Sequence, residues 1–215
     1  MPVHDDTHSR PMRRDAVRNQ QLVIVAARDV LSEFGTDASM ELIASRAGVG
    51  VGTVYRRFPN KEALVDEIAR LMLSELVEEA RRALALGDGT GLEVFLRELG
   101  HSLVKHRGCA DKLIGHSSTG SVEQLRDLVG ELLDQAKHSG RVGPDIELGD
   151  VMTGAWALRG IVETSGGVAP DAWQRYLDIH LAGLRAAGGV STRPAVTRSQ
   201  LQEISHEKES AAVPH

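Results

Sequence analysis

The chain has 215 residues with a hydrophobic share of 41%, which is enough to bury a core, although aromatic residues make up only 3%. Cys109 is the only cysteine, so an intrachain disulfide is excluded and a secreted, disulfide-built fold is disfavoured. The N-terminus lacks the apolar segment of a signal peptide, and the longest apolar run, residues 22–27, is far too short to cross a bilayer. We therefore expect a soluble, cytoplasmic protein with no membrane partner.

The net charge of −5 is divided unevenly along the chain. Residues 10–61 contain nine basic and five acidic side chains, a net charge of +4, which leaves −9 for the remainder. A basic segment joined to an acidic body is typical of a nucleic-acid-binding module attached to a second domain. If such a module is present, it lies near the N-terminus.

In chain order, every periodic segment has the apolar spacing of a helix, and no segment alternates like a strand, so the predicted fold class is all-α. The first helix is expected over residues 15–35, with an apolar face formed by Leu22, Val25, Ala26, Val30 and Phe34. Further helices are expected over residues 39–47, 51–57 and 61–86. Beyond them, helices are expected to begin at residues 90 and 121 and to cover residues 146–164 and 170–187, with a short helix or turn at 109–116. The predicted domains are a flexible arm (1–12), a DNA-binding domain (13–60), a helical ligand-binding and dimerisation domain (61–187) and a disordered tail (188–215).

The segment from residue 39 to residue 61 has the spacing of a helix-turn-helix. Ala44 permits the two helices to approach closely, Gly48 suits the positive φ of the turn, and Val54 is placed to enter a core with Ile43 and Val49. The second helix has poor intrinsic helix propensity, so packing must hold it in place. Its outward residues would enter the major groove of DNA.

The run GVGVGTVYRRFPNKEAL closely resembles the signature of the TetR (tetracycline repressor) family, and residues 14–65 share its wider pattern. The resemblance implies that Tyr55 and Lys61 hold phosphates, that Thr53 contacts phosphate or base, and that Gly52 and Arg57 face base edges. Gly50 departs from the family's frequent Ser, which predicts a softer helix start. The residues expected to bind double-stranded operator DNA are Arg46, Val51, Gly52, Thr53, Tyr55, Arg56, Arg57 and Lys61.

Two alternatives remain open for the basic residues that precede the first helix, Arg10, Arg13 and Arg14. They form either an arm that enters the minor groove or a solvated tail.

The C-terminal half contains no catalytic motif, so the protein is predicted not to be an enzyme and to need no cofactor. His101 and His106 are five residues apart, which does not place two ligands on one helical face, and no metal site is predicted. Cys109 is interpreted as a small thiol by default, with a redox sensor as the alternative.

The resemblance to the TetR family further implies a small-molecule pocket and a homodimer formed through the last two helices, giving two recognition helices and a pseudo-palindromic operator. An Arg159 that faces the interior would favour an anionic effector, and simple core packing is the alternative for every pocket candidate. The pocket candidates are Leu73, Val77, Phe95, Leu99, Leu103, Leu113, Leu128, Leu132, Met152, Trp156 and Arg159.

The function predicted from the sequence is that of a transcriptional repressor released from its operator by a small molecule. The alternatives are a ligand-independent dimeric DNA-binding protein, a transcriptional activator, and an enzyme with an accessory DNA-binding module. A pocket of several hundred Å³ would argue against the ligand-independent protein, whereas a filled core would favour it. A cluster of convergent titratable residues would be needed to support the enzyme.

Overall fold

A computed structural model describes residues 9–108, 119–185 and 191–211. These residues form helices and no strand, which confirms the all-α prediction. The helices are α1 (Ser9–Phe34), a 3-10 turn (Gly35–Asp37), α2 (Met40–Ala47), α3 (Val51–Arg57), α4 (Lys61–Leu84), α5 (Gly91–Lys105), α6 (Thr119–His138), α7 (Leu148–Ser165), α8 (Ala172–Leu184) and α9 (Arg198–Ala211). The short element predicted at 109–116, with Cys109 and Leu113, lies outside the described residues.

The chain divides into an N-terminal unit, Met1–Ile68, and a C-terminal unit, Ala69–His215. The division falls inside α4 rather than before it at residue 60, because the first turns of that helix belong to the N-terminal unit. Leu64, Val65 and Ile68 are all buried there. Helix α4 is therefore one continuous element shared by both units.

Helix α1 packs through a face that shares Ala26 and Val30 with the predicted one but not its other members. Leu22, Val25 and Phe34 are 42%, 56% and 48% exposed, so their assignment to the packed face is wrong. Five buried residues recur at positions i, i+3, i+4, i+7 and i+8, which is the stripe of an amphipathic helix. These residues are Val23, Ala26, Ala27, Val30 and Leu31, and Ile24 is buried beside them.

The core of the C-terminal unit consists mainly of leucine, valine and alanine side chains of α4 to α8, together with larger residues such as Phe95 and Trp173. One contact between α5 and α8 depends on a missing side chain. A Cβ built at Gly100 would lie 2.1 Å from a ring atom of Trp173, which is 3% exposed. The large indole therefore occupies the space that any other residue at position 100 would need.

The predicted disorder of residues 188–215 is wrong for α9. Thr197 and Gln200 cap this helix reciprocally: the Thr197 amide donates to Gln200 Oε1 at 2.9 Å and the Gln200 amide donates to Thr197 Oγ1 at 3.3 Å. Leu201, in the first turn, is 0% exposed. A capped end and one fully buried leucine hold the segment in helical form although most of its residues are polar.

The N-terminal arm is also shorter than predicted. Helix α1 begins at Ser9, so residues 9–12 of the expected arm belong to that helix.

Candidate functional site

Helices α2 and α3 form the predicted helix-turn-helix. Ser39 begins α2, its hydroxyl accepting from the Leu42 amide at 3.1 Å. Gly48 ends it in the left-handed region with φ 67°, and the Val49 amide then donates to the Ala44 carbonyl at 3.1 Å. The turn therefore has the geometry that the spacing of Ala44 and Gly48 predicted.

The two helices meet through a small apolar core in which Ile43, Ala44 and Val54 are buried. Val49 is only half-buried, so it packs at the edge of that core rather than at its centre. Gly50 begins α3 without a side-chain cap, as expected from the missing Ser. Packing of Val54 and Phe58, both buried, supports a helix that its own propensity would not form.

The surface of α3 opposite Val54 is exposed and carries most of the residues predicted to bind DNA. Arg56 folds back on its own helix, donating to the Gly52 carbonyl at 3.2 Å and to Thr53 Oγ1 at 3.0 Å. Arg57 is exposed and has no hydrogen-bond partner among the described residues. The Tyr55 hydroxyl donates to Glu41 on α2 at 3.5 Å, which places the phenol across the outer face of the motif.

Two residues predicted to bind DNA, Lys61 and Arg46, have protein partners in this structure. Lys61 is half-buried and donates to the Ala38 carbonyl at 3.1 Å, while Arg46 forms an ion pair with Glu33 at 3.1 Å. The Arg46 pair is exposed to solvent, so its net contribution to stability is small, roughly 0–1 kcal/mol. Contact of Arg46 with a phosphate would therefore replace an exposed ion pair at little cost, whereas contact of Lys61 with a phosphate would require release of a backbone carbonyl.

Comparison with known proteins agrees with this geometry. Residues 23–68 match the family model for bacterial regulatory proteins of the tetR family, and residues 88–186 match the C-terminal domain of SbtR-like transcriptional regulators. The crystal structure of a TetR transcription regulatory protein from Mycobacterium vanbaalenii is 32% identical, covering 82% of this chain and 100% of that one, with a TM-score of 0.59. This chain belongs to the TetR family. It is a DNA-binding helix-turn-helix transcriptional regulator.

Other relatives of this TetR-family regulator give the same picture. A TetR transcriptional regulator from Streptomyces coelicolor is 28% identical, covering 77% of this chain and 98% of that one, with a TM-score of 0.58. The HTH-type transcriptional repressor KstR2 of Rhodococcus jostii is 33% identical over 86 residues, 40% of each chain. The chain thus matches about two fifths of that curated relative. Both relatives are named as transcriptional regulators.

The C-terminal unit contains a cavity of about 110 Å³ among α4, α5, α6 and α7. Seven predicted pocket residues line it together: Leu73, Phe95, Leu99, Leu103, Met152, Trp156 and Arg159. Three described candidates, Val77, Leu128 and Leu132, do not line it, and Leu113 cannot be placed. Ligand binding in this cavity stays a prediction.

The face that α6 turns to the cavity explains why Leu128 and Leu132 do not line it. Val122, Leu125, Arg126 and Val129 line the cavity at helical spacing. Leu128 precedes Val129 by one residue and so points about 100° away. Leu132 lies one turn further along and packs in the core beside Gly91.

Arg126 is a charged lining residue that was not among the pocket candidates. It is 2% exposed, forms an ion pair with Glu123, and donates to the Leu201 carbonyl at 3.4 Å. Buried arginines are rare, so the default expectation for this side chain is exposure. Arg126 lies on the same helical face as Val122 and Val129, and this spacing is the sequence feature that indicates its burial.

A larger cleft of about 610 Å³ lies beside α7 and α8, where no site was predicted. His180 stacks on Tyr176 with ring centroids 5.7 Å apart, and its ring fills the space that a Cβ at Gly154 would need. Burial lowers the pKa of His180, against the opposing effect of the Asp150 carboxylate, and burial raises the pKa of Tyr176.

Among the described residues, no group of three or more His, Cys, Asp or Glu side chains could hold a metal ion. In the same part of the chain, no helix has the length and hydropathy needed to span a membrane.

Proposed function

We propose that this protein is a repressor that binds operator DNA through α3 as a homodimer and is released by a small-molecule effector bound in the C-terminal unit. The observation that carries the DNA-binding part is the exposed face of α3, where Arg57 extends from a packed helix-turn-helix and has no hydrogen-bond partner among the residues that the structure describes. A guanidinium held in this way is suited to bidentate contact with a base edge or a phosphate. Repression is named for the Rhodococcus relative, which supports assigning it here.

The proposed release mechanism is a shift between two dimer conformations. Helix α4 runs from Lys61 to Leu84, so a ligand that alters its packing near Leu73 acts on the same helix that carries Lys61. A ligand that binds more tightly to the conformation unable to bind DNA shifts the population toward that conformation, so operator affinity falls. The size of the fall is set by the difference between the ligand's affinities for the two conformations. A coupling free energy of about 1–3 kcal/mol corresponds to roughly 5- to 150-fold release.

The test is a titration of the full-length protein against its own upstream intergenic DNA and against a scrambled duplex, each at two salt concentrations. We expect sequence-dependent binding that Arg57→Ala weakens by about 1–3 kcal/mol. Arg82→Ala is the matched control, because Arg82 is an exposed arginine of the C-terminal unit paired only with neighbouring Glu79 among the contacts seen. Equal affinity for both duplexes, or equal losses in the two variants, would contradict the proposal.

The small cavity favours a second candidate, a dimeric DNA-binding protein that needs no ligand. Its volume of about 110 Å³ is below the roughly 300–1,000 Å³ of pockets that hold drug-sized molecules. The two functions differ in one measurable property: only the effector-controlled repressor loses operator affinity when a compound occupies the cavity.

A further inference from the structure

The C-terminal segment bridges two of the helices that enclose the cavity, although none of its described residues lines it. Helix α9 contacts α7, and Val196, just before α9, lies against the first turn of α7. A Cβ built at Gly149 in that turn would be only 2.8 Å from the Val196 amide nitrogen, so the two backbones are in direct contact. Residues 196–204 form the bridge and are named the clasp.

The clasp is also attached to α6. Arg126 of α6 donates to the Leu201 carbonyl at 3.4 Å, and the Leu201 side chain is 0% exposed. Arg198 forms ion pairs with Asp127 and Glu123 of the same helix. One short segment of chain is therefore joined to both α6 and α7.

Helices α6 and α7 are two walls of the cavity, and Arg126 belongs both to its lining and to the contacts of the clasp. We infer that the clasp holds α6 and α7 together and thereby keeps the cavity closed to molecules larger than its present volume. This inference rests on the proposed function, in which the cavity is the effector site. The described residues of the two walls are Val122, Leu125, Arg126 and Val129 on α6, and Val151, Met152, Ala155, Trp156 and Arg159 on α7.

The contacts of the clasp are few enough for it to open while the core stays folded. Among the side chains of residues 196–204, only that of Leu201 is buried. Arg198 and Asp127 are 53% and 56% exposed, so their ion pair adds little. Segments with few buried apolar contacts open locally at a lower free-energy cost than the core does.

The present volume is too small for a drug-sized effector. A cavity of about 110 Å³ is smaller than the roughly 150 Å³ that holds one benzene ring, and drug-sized ligands need roughly 300–1,000 Å³. Opening of the clasp frees α6 to move away from α7, which enlarges the apolar space between them. A larger apolar molecule then binds the open conformation and raises its population.

The test measures how tightly the full-length protein binds N-phenylnaphthylamine, a neutral apolar fluorophore that is larger than the closed cavity and brightens in apolar surroundings. Leu201→Lys places a charge at the buried position of the clasp and so raises the open fraction. Apparent affinity rises in proportion to that fraction, so we expect binding roughly 10-fold tighter than in wild type, or more. Gln202→Lys adds the same charge at the exposed next position and should bind the probe as wild type does. Equal affinity in the two variants would overturn the inference.

A second substitution locates the probe. Ala155 lines the cavity on α7, and Ala155→Met places a flexible side chain in that space. Added to Leu201→Lys, it should return the affinity for the probe to the wild-type level. A gain that persists in the double variant would place the probe on surface uncovered by α9, which would also overturn the inference.

Hydrogen exchange of the wild-type protein decides the question if a chemical unfolding curve shows that Leu201→Lys does not fold. Local opening of the clasp exposes its amides while the core stays folded. Amides of residues 201–204 should therefore exchange roughly 10-fold faster than those of residues 177–181 in α8, or more. Equal protection of the two segments would show that the clasp opens only when the core unfolds, contrary to the inference.

The outcome is separable from that of the proposed function. Tighter probe binding in Leu201→Lys, with operator affinity unchanged by the bound probe, supports the clasp and contradicts effector-controlled release. Unchanged probe binding in Leu201→Lys, together with operator affinity that falls when another compound occupies the cavity, supports the repressor and contradicts the clasp.

Discussion

At the scale of single residues, Gly100 sets how closely α5 and α8 pack. A Cβ at this position would overlap the Trp173 ring, which is buried and therefore has little freedom to move. We predict that Gly100→Ala lowers the free energy of unfolding by about 1–3 kcal/mol, the usual cost of overpacking. Gly130→Ala on α6 is the control, since its Cβ would meet nothing within 4 Å and alanine favours a helix by about 0.5–1 kcal/mol. Urea unfolding of both variants checks the prediction, which fails if the two shift in the same direction.

His180 makes folding depend on pH. Burial lowers its pKa in the folded state, whereas the unfolded chain binds a proton with a pKa of about 6.5. Below that pH the unfolded state binds more protons, so the contribution of His180 to stability is present above about pH 6.5 and is lost as pH falls toward its folded pKa. Unfolding curves at several pH values should show a weaker loss in acid for His180→Gln than for wild type. His138→Gln, which changes an exposed histidine of α6, should keep the wild-type slope, and an unchanged slope in His180→Gln would contradict the assignment.

At the scale of elements, α9 is predicted to be part of the folded C-terminal unit. Leu201 is its fully buried side chain, and Arg198 adds an ion pair with Asp127 of α6 that raises the pKa of the guanidinium. Leu201→Ala should therefore lower the free energy of unfolding by roughly 2–5 kcal/mol, as deletion of a buried leucine side chain does. Gln202→Ala, one residue on and exposed, should change it little. Denaturant titration distinguishes them, and equal stability of the two variants would mean that α9 does not pack in solution.

The elements also show which parts of the fold the sequence could predict. The helix-turn-helix was predictable because its turn needs a glycine with positive φ and its core needs small apolar residues at fixed intervals, and Ala44, Gly48 and Val54 meet both conditions. The face of α1 was not predicted correctly, because the unbroken apolar run 22–27 covers both faces of a helix. Helix α9 was not predicted, because the polar composition of residues 188–215 indicated disorder. Thr197 and Gln200, which cap the helix, were the sequence feature that indicated a helix there.

The residues that line the cavity were predictable only in part, because apolar periodicity was again the only signal available. Apolar periodicity identifies which residues face inward, and it found seven of the residues that line the cavity. It does not distinguish residues beside a cavity from residues in a filled core, so Leu132 was included. It also passes over a buried arginine, although the contacts of Arg126 with Glu123 and with the Leu201 carbonyl are what make its burial tolerable.

At the scale of the whole molecule, the proposed homodimer would bring two copies of α3 to one operator. Ile179 is 61% exposed, and it shares an exposed face of α8 with Ala182 and Gly183 at positions i, i+3 and i+4. Small and apolar residues on one open face are suited to a self-complementary two-fold contact between helices. We therefore predict that Ile179→Glu, which places a charge at that contact, yields a folded monomer.

The monomer should bind operator DNA far more weakly, although its helix-turn-helix is unchanged. In a dimer the second half-site is bound intramolecularly, which raises affinity by roughly 10²- to 10⁴-fold, and this gain is lost when the subunits separate. Sedimentation velocity and operator titration of the same samples check both effects, with Gln124→Glu on α6 as the charge-matched control. A dimeric Ile179→Glu protein would place the interface elsewhere, and a monomer with wild-type affinity would show that one recognition helix is sufficient.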